Sequence, residues 1–552
     1  MSNNPSKTIA VIQITRIGDL IQTYHSVASF KSKHPEHRIV LICRKQFYKP
    51  LEQILSKVFD SVYALDNEML LTQPKVLDEF LSQLQSEKID VLINLSFSKS
   101  SNYLASVVKS QYKIGPYYNR LNQLIVEDKW SQLLYSTTLR GTLNSFNLVD
   151  FFRNIIGLKF SPDSDLQRTI LSQTNKEKTI LIHPFASASR KTWKGEKWVE
   201  IIFKLLKDNP QHQIIIVGAK SEHVRAESIL QNNILKSNTA RINNLVGKTS
   251  IPELIQLLGS AALFIGHDSM VSHLTSFTHT PTLTISLGSV RPSETIPYHL
   301  NAYSIAPKTK CFPCFPSDNC DYFQCHNDIS YQVVSQIAQE LLKNKAIDKN
   351  WAQNTLTEFQ TSSVHLFKNV VCQSGLLAQN ILDSYSDSKE TLKSIYRLVW
   401  SFTLSDLDEN AHLPKINHNT QSELISVLSS LQYLFELSGF GKKYSRYILE
   451  ELTSSQPRLS QIKDFSKKID EIDSLQKIIL KTSPLLAPII DFSTLRKANL
   501  SGDNIVTLTE SSYTVFEESE NICKIVYELI ETIISEHKIQ QKKQTSKHSE
   551  SI

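Results

Sequence analysis

The sequence predicts an α/β protein of two successive doubly wound units followed by an all-α extension. Three observations carry this. Short β-branched runs end in polar or Gly-containing turns and lead into helical patterns, the rhythm of parallel strands joined by helices. That rhythm restarts near residue 179. Beyond residue 331 it stops: ten of the fourteen glycines lie in the first 300 residues, and only Gly375, Gly439, Gly441 and Gly502 follow.

In chain order, TIAVIQI (8–14) reads as the opening strand, with TRIGD as its turn and a helix from about Leu20 to His34. RIVLICR (38–44), IDVLINLS (89–96) and YKIGP (112–116) read as further strands. The polar stretch 161–178, with its Pro, reads as a linker. The second unit has TILIHPFA (179–186), QIIIVGA (213–219), ALFIGHD (262–268) and TPTLTISLG (280–288) as strands, with helices near 196–208, 221–231 and 251–260. In the extension, 329–344, 391–404 and 422–438 place apolar residues at i, i+3, i+4 and i+7, the spacing of amphipathic helices.

At 552 residues the chain is too long for one core, and 41% hydrophobic with 21% charged residues is ordinary for a globular protein, which excludes a disordered or fibrous class. The N-terminal apolar stretch is too short for a secretory signal, and no run of about 18 apolar residues occurs, so a cytoplasmic protein is expected. Net charge is +6, and residues 1–50 hold eight Lys and Arg against two acidic residues. This is either a solvated basic face or an attraction for an anionic acceptor or membrane surface.

Three turns carry candidate chemistry. Thr15-Arg16-Ile17-Gly18-Asp19 sets a carboxylate between a strand and a helix, where it either accepts a proton or caps the helix. The loop His183 to Trp193 offers hydroxyls and the cations Arg190 and Lys191 beyond a strand end, a plausible anion site. Gly266-His267-Asp268-Ser269-Met270-Val271-Ser272-His273-Leu274 breaks a strand and starts a helix, whose terminal N–H groups suit a phosphate.

Taken with Leu245–Leu254, the order and spacing of Arg16–Asp19, Lys191-Thr192-Trp193, Asp268-Ser269 and Ser272-His273-Leu274 resemble the motifs of glycosyltransferase family 9, which contains the lipopolysaccharide heptosyltransferases. The resemblance covers roughly residues 8–345. It implies a GT-B fold, two Rossmann-like domains facing across a cleft: an acceptor-side domain at 1–165, and a nucleotide-sugar domain at 166–330. A crossing helix and linker at 331–349, a helical accessory domain at 350–536 and a disordered tail at 537–552 complete the expected organisation.

The resemblance also implies inverting transfer of heptose from ADP-heptose, or a similar nucleotide sugar, to a hydroxyl of a lipopolysaccharide-core or protein acceptor, with no cofactor required and no nucleic acid involved. Asp19 would be the general base; Lys191, Ser187 and Ser189 would hold the diphosphate; Glu222 would reach the ribose; and Asp268, Ser269, Ser272 and His273 would form the rest of the donor site. Peripheral contact with the inner face of the inner membrane is expected. One departure stands out: the family usually has Gly where this chain has Met270.

Cys311, Cys314, Cys320 and Cys325 crowd into one Pro-containing loop. Four thiolates at this spacing suit structural zinc or iron, and buried reduced thiols or local disulfides are the alternatives. Many family 9 members are similar in carrying such a loop, and some protein heptosyltransferases hold iron there.

Overall fold

The run Ile9-Ala10-Val11-Ile12 is fully buried, as a central parallel strand covered by helices on both faces requires. In the computed structural model, which describes residues 6–66, 72–139, 143–166, 178–315, 318–345, 347–408, 413–500 and 502–549, this run is strand β1 (Thr8–Gln13). The chain forms two units, Met1–Tyr118 with Phe146–Asp383, and Asn119–Ser145 with Ser384–Ile552.

The first unit holds two sheets. In the first, β1 sits centrally among β2 (Arg38–Arg44), β3 (Ser61–Leu65), β4 (Val91–Asn94) and β5 (Tyr112–Ile114), in the all-parallel order β3-β2-β1-β4-β5. Helix α1 (Ile17–Lys33) follows β1, and α2 (Lys45–Leu55), α3 (Pro74–Ser86) and α4 (Lys99–Val107) lie in the later connections. Ser98 starts α4 with a reciprocal capping box to Ser101, which satisfies two otherwise orphan amides. Helix α5 (Leu148–Ile155) lies beyond this sheet in sequence and packs on α1, where Ser26 donates its hydroxyl to the Val149 carbonyl at 2.8 Å.

The second sheet contains β6 (Thr179–His183), β7 (Gln213–Ile216), β8 (Ile242–Asn244), β9 (Leu263–His267), β10 (Thr282–Ile285) and β11 (Ala302–Pro307), parallel in the order β8-β7-β6-β9-β10-β11. Helices α6 (Gly195–Asp208), α7 (His223–Leu230) and α8 (Ile251–Ser260) connect them, and the short helix α9 (Met270–Leu274) follows β9. Two facing Rossmann-like sheets of this kind make the GT-B class.

The expected domain boundaries need four corrections. Helix α10 (Tyr331–Leu342) does not cross to the first sheet: Val333, Val334, Ile337, Ala338 and Leu341 join the core beneath the second sheet together with Trp198, Ile201 and Ile202 of α6. Residues 350–383 are not part of a helical domain. Two short helices (Lys349–Thr355 and Glu358–Ser363) lead to β12 (Val364–Cys372) and β13 (Gly375–Asn380), an antiparallel hairpin added to the free edge of β11. Val364, Leu366 and Phe367 are buried and His365 and Lys368 only partly so, an apolar β-branched run that the surrounding Leu-rich helices obscure.

The helical unit takes in residues 119–145 from the middle of the predicted first domain, anchored where buried Arg397 donates to the Ser145 carbonyl at 2.9 Å and Asn499 accepts from the Val126 amide at 2.7 Å. Finally, the predicted tail continues helix to Ser549, because its Lys- and Gln-rich sequence contains no Gly or Pro to end it; 550–552 lie outside the described residues, as does most of the linker.

This unit consists of α11 (Ser388–Ser405), α12 (His418–Leu452), α13 (Leu459–Thr482), α14 (Ala487–Ala498) and α15 (Ile505–Ser549). The α12–α15 seam is close because its residues are small. Ser438 and Ser519 share a hydrogen bond at 3.1 Å, and a Cβ on Gly441 would lie 2.4 Å from the Phe516 ring. Among the described residues no single helix is long and apolar enough to cross a membrane.

Candidate active site

The site lies beyond the carboxyl ends of β1, β6 and β9, where sheets of this type bind ligands. Asp19 occupies the first turn of α1. Gly18 lets that turn press on the second lobe: a Cβ there would come within 3.0 Å of His273 Cδ2. Burial pushes the Asp19 carboxyl up to about 6, with Arg16 and Lys191 pulling it down and Asp268 pushing it further up. Asp19 therefore shares one electrostatic environment with Lys191 and Asp268, which come from the other sheet.

Lys191 lies 3.6 Å from Asp268 Oδ2, and His273 Nε2 lies 3.7 Å from Oδ1. Burial works against the Asp268 charge, but Lys191 and then His273 hold its carboxyl below the usual range. The His273 ring is shifted down, mainly by burial, although Asp268 opposes this. Asp268 Oδ1 has no hydrogen-bond partner among the described residues. Within the cleft, then, one carboxylate is poised to take a proton and the other is a fixed anion holding a lysine.

A second group forms beside it. Glu222 Oε2 accepts from the Ala219 amide at 2.8 Å and lies 3.4 Å from His183 Nε2, while His183 Nδ1 is 3.1 Å from Ser269 Oγ. Burial raises the Glu222 carboxyl, but His183, the Ala219 amide and Arg225 outweigh it and the net shift is down. Ser272 is turned inward: its hydroxyl donates to the Ser269 carbonyl at 2.7 Å and accepts from the Ser269 amide at 3.1 Å, which closes the first turn of α9. Ser187 and Ser189 lie solvent-exposed on the loop that leads to Lys191.

Two supporting histidines lie inside the segments singled out in the sequence but take no role there. His267 ends β9 and is fully buried; its Nδ1 donates to the Ile285 carbonyl at 3.1 Å, and its Nε2 accepts the Trp193 amide at 3.0 Å. Burial lowers this ring to about 3, so it stays neutral and pins the end of the Lys191 loop to the strand. His183 is the other. The available signal was a histidine closing an apolar strand, in TILIH and in LFIGH.

The cysteine loop is the third support. Arg190 Nη1 donates to the carbonyls of Phe315 at 3.3 Å and Asp318 at 2.8 Å, and His326 Nε2 donates to the Arg190 carbonyl at 2.9 Å. Gly288 (φ +61°) makes room: a Cβ there would lie 2.7 Å from the Arg190 carbonyl oxygen, and its own carbonyl accepts the Cys314 amide at 2.9 Å. Burial raises the Cys314 and Cys325 thiols, and the other cysteines of the loop raise both further. Cys311 is exposed and Cys320 partly so, and no three of the four sulfurs lie within 4.8 Å of one another. The thiols thus share a neighbourhood rather than a closed tetrahedral cage.

The family model "Glycosyltransferase family 9 (heptosyltransferase)" matches residues 78–322. The chain is 22% identical over 280 residues to lipopolysaccharide heptosyltransferase 3 of Escherichia coli K12, covering 49% of this chain and 79% of that protein. It is 27% identical over 262 residues to lipooligosaccharide heptosyltransferase 2 of Campylobacter jejuni, covering 47% and 76%. A glycosyl transferase family 9 structure from Veillonella parvula superposes with a TM-score of 0.46 at 16% identity, over 62% of this chain and 100% of that one. Over residues 78–322 the chain matches glycosyltransferase family 9, and these relatives make it a heptosyltransferase-like glycosyltransferase.

Proposed function

We propose that this glycosyltransferase moves heptose from ADP-heptose to a hydroxyl of a lipopolysaccharide-core acceptor, with inversion at the anomeric carbon and Asp19 as general base. One observation carries the reading: Asp19, raised to about 6, shares its cleft with Lys191 and with Asp268, the anion that holds the lysine. As the acceptor oxygen attacks the anomeric carbon, Asp19 takes its proton. The bond to the diphosphate breaks on the opposite side of the sugar, and ADP leaves with the electron pair. Lys191 offsets the charge that develops there, helped by Ser187 and Ser189 on the same loop, while Glu222 takes the ribose. A carboxylate poised near 6 is mostly ionised at pH 7 and still basic enough to accept a proton.

ADP release from ADP-heptose, measured with and without a lipopolysaccharide-core acceptor, tests the reading; acceptor-dependent release that vanishes in Asp19→Ala is the expected result. Met270, where the family usually has Gly, favours a second reading: a chain that binds the sugar nucleotide as a scaffold and does not turn it over. Saturable donor binding with no ADP release under any acceptor, protein acceptors included, would establish that one.

We also propose that the four loop thiols would hold a structural zinc or iron ion, on the chemistry of the donor set. Metal analysis of the purified chain, compared with Cys314→Ser, tests this. We further propose that the protein works in the cytoplasm, in peripheral contact with the inner membrane through its basic first fifty residues; partition of the chain between soluble and membrane fractions at low and high salt is the check.

A further inference from the structure

His183 has no part in the donor-site reading, yet it stands between two groups that do. It is the last residue of β6 and buried, with Nε2 3.4 Å from Glu222 Oε2 and Nδ1 3.1 Å from Ser269 Oγ. The ring is not free to turn. Phe185 meets it edge-on, with centroids 5.6 Å apart at 85°, and the Arg225 guanidinium lies over the Phe185 ring at 5.1 Å. Glu222 also meets the Ala219 amide at 2.8 Å and Arg225 at 3.4 Å. Even the backbone is tight here, since a Cβ on Gly218 would come within 2.7 Å of Glu222 Oε2 and 3.0 Å of the Phe185 ring.

The direction of the hydrogen bonds follows from donor and acceptor counts. Nε2 faces the Glu222 carboxylate, which only accepts; with the ring proton on Nε2, Nδ1 is left to accept the single proton of Ser269. The Ser269 backbone amide is already given to Ser272 Oγ at 3.1 Å. How Ser269 faces an anion is therefore set by what His183 does, and that in turn by Glu222. If a sugar hydroxyl draws Glu222 away, the ring loses the partner that fixes its tautomer, and the Ser269 proton becomes free for a phosphate oxygen.

We infer that His183 is a positioning residue, a relay that joins Glu222 and Ser269 into one donor-recognition unit, so that contact at the ribose prepares the hydroxyl beside the diphosphate. The inference rests on the donor reading above. It adds a residue and a coupling that a list of ligand contacts does not contain.

The test is a double-mutant cycle on ADP affinity, measured by calorimetry on the full chain. Glu222→Gln, Ser269→Ala and the double variant are compared first with His183 present and then in a His183→Ala background, with melting temperatures followed throughout. The relay predicts that with His183 present the double variant loses at least about fivefold less affinity than the product of the single losses. In the His183→Ala background the losses multiply. A purely structural histidine would lower melting temperature in every variant and leave the coupling unchanged.

His183→Asn covers the case in which the Ala variant does not fold: its amide still faces Ser269 but stops short of Glu222, and the relay predicts the same loss of coupling. Losses that multiply in both backgrounds, or coupling that survives without the imidazole, overturn the relay while leaving the donor site standing. An unmodified chain that binds no ADP overturns the donor reading and the relay with it.

Discussion

Asp19 and Asp268 both follow a buried parallel strand and sit at the start of a helix, yet their surroundings treat them oppositely. Around Asp19 burial dominates, and the second carboxylate adds to it, so its proton is held to about 6. Asp268 is also desolvated, but Lys191 at 3.6 Å and His273 at 3.7 Å more than compensate, and its carboxyl is shifted down. A place at the start of a helix does not assign acid–base roles; the charges gathered around each carboxyl do. Asp268 also serves Asp19 indirectly, since it both raises the Asp19 carboxyl and restrains the lysine that lowers it.

The comparison is broken most directly at the base. Asp19→Ala should reduce the rate of ADP release by about 10²–10⁴-fold, the usual contribution of a general base, with the melting temperature retained. Lys191→Ala should act chiefly on donor affinity, weakening ADP binding by about 10–100-fold, as loss of a charge-assisted contact does. A variant of Lys191 that lowers turnover and leaves ADP affinity intact would remove it from the diphosphate.

Stability offers a sharper contrast. The folded chain holds the Asp19 proton more tightly than the ordinary value of 3.8. Its charge therefore costs stability progressively as pH rises from about 4 to 6, and fully above that. Asp19→Asn should accordingly stabilise the chain at pH 7, by about 1–3 kcal/mol, and make no difference at pH 3.5. Asp268→Asn should do the reverse, destabilising at pH 7 by stranding Lys191 beside a neutral amide. Denaturant melts of both variants at the two pH values decide this. The smallest effect belongs to Gly18→Ala, which forces the α1 turn and the His273 ring apart by a few tenths of an ångström and should cost about 1 kcal/mol.

Much of the fold could be read because parallel strands buried on both faces announce themselves. RIVLICR is strand β2 residue for residue, and helix 251–260 spans the predicted residues, opened by a Ser250 cap with Pro252 in its first turn. What failed was long-range. Residues 364–380 form a hairpin because the free edge of β11 was available for pairing, a fact that no local pattern in VHLFKNVVC contains. Residues 119–145 joined the helical unit through contacts such as Val126 with Asn499, 373 positions apart.

The site divides in the same way. Asp19, Lys191, Asp268 and His273 were named through motif order, and the structure brings them together. His183 and His267 stood in the same segments without a role, because a histidine at a strand end is defined by its partners.

The pH dependence of kcat/KM for acceptor-dependent ADP release tests the central claim most directly. A base raised to about 6 predicts an acid limb with its midpoint near pH 6, shifted to lower pH in Asp268→Asn and to higher pH in Lys191→Ala. A rate that stays level down to pH 4.5, or a limb that neither variant moves, would contradict the assignment of Asp19 as the proton acceptor.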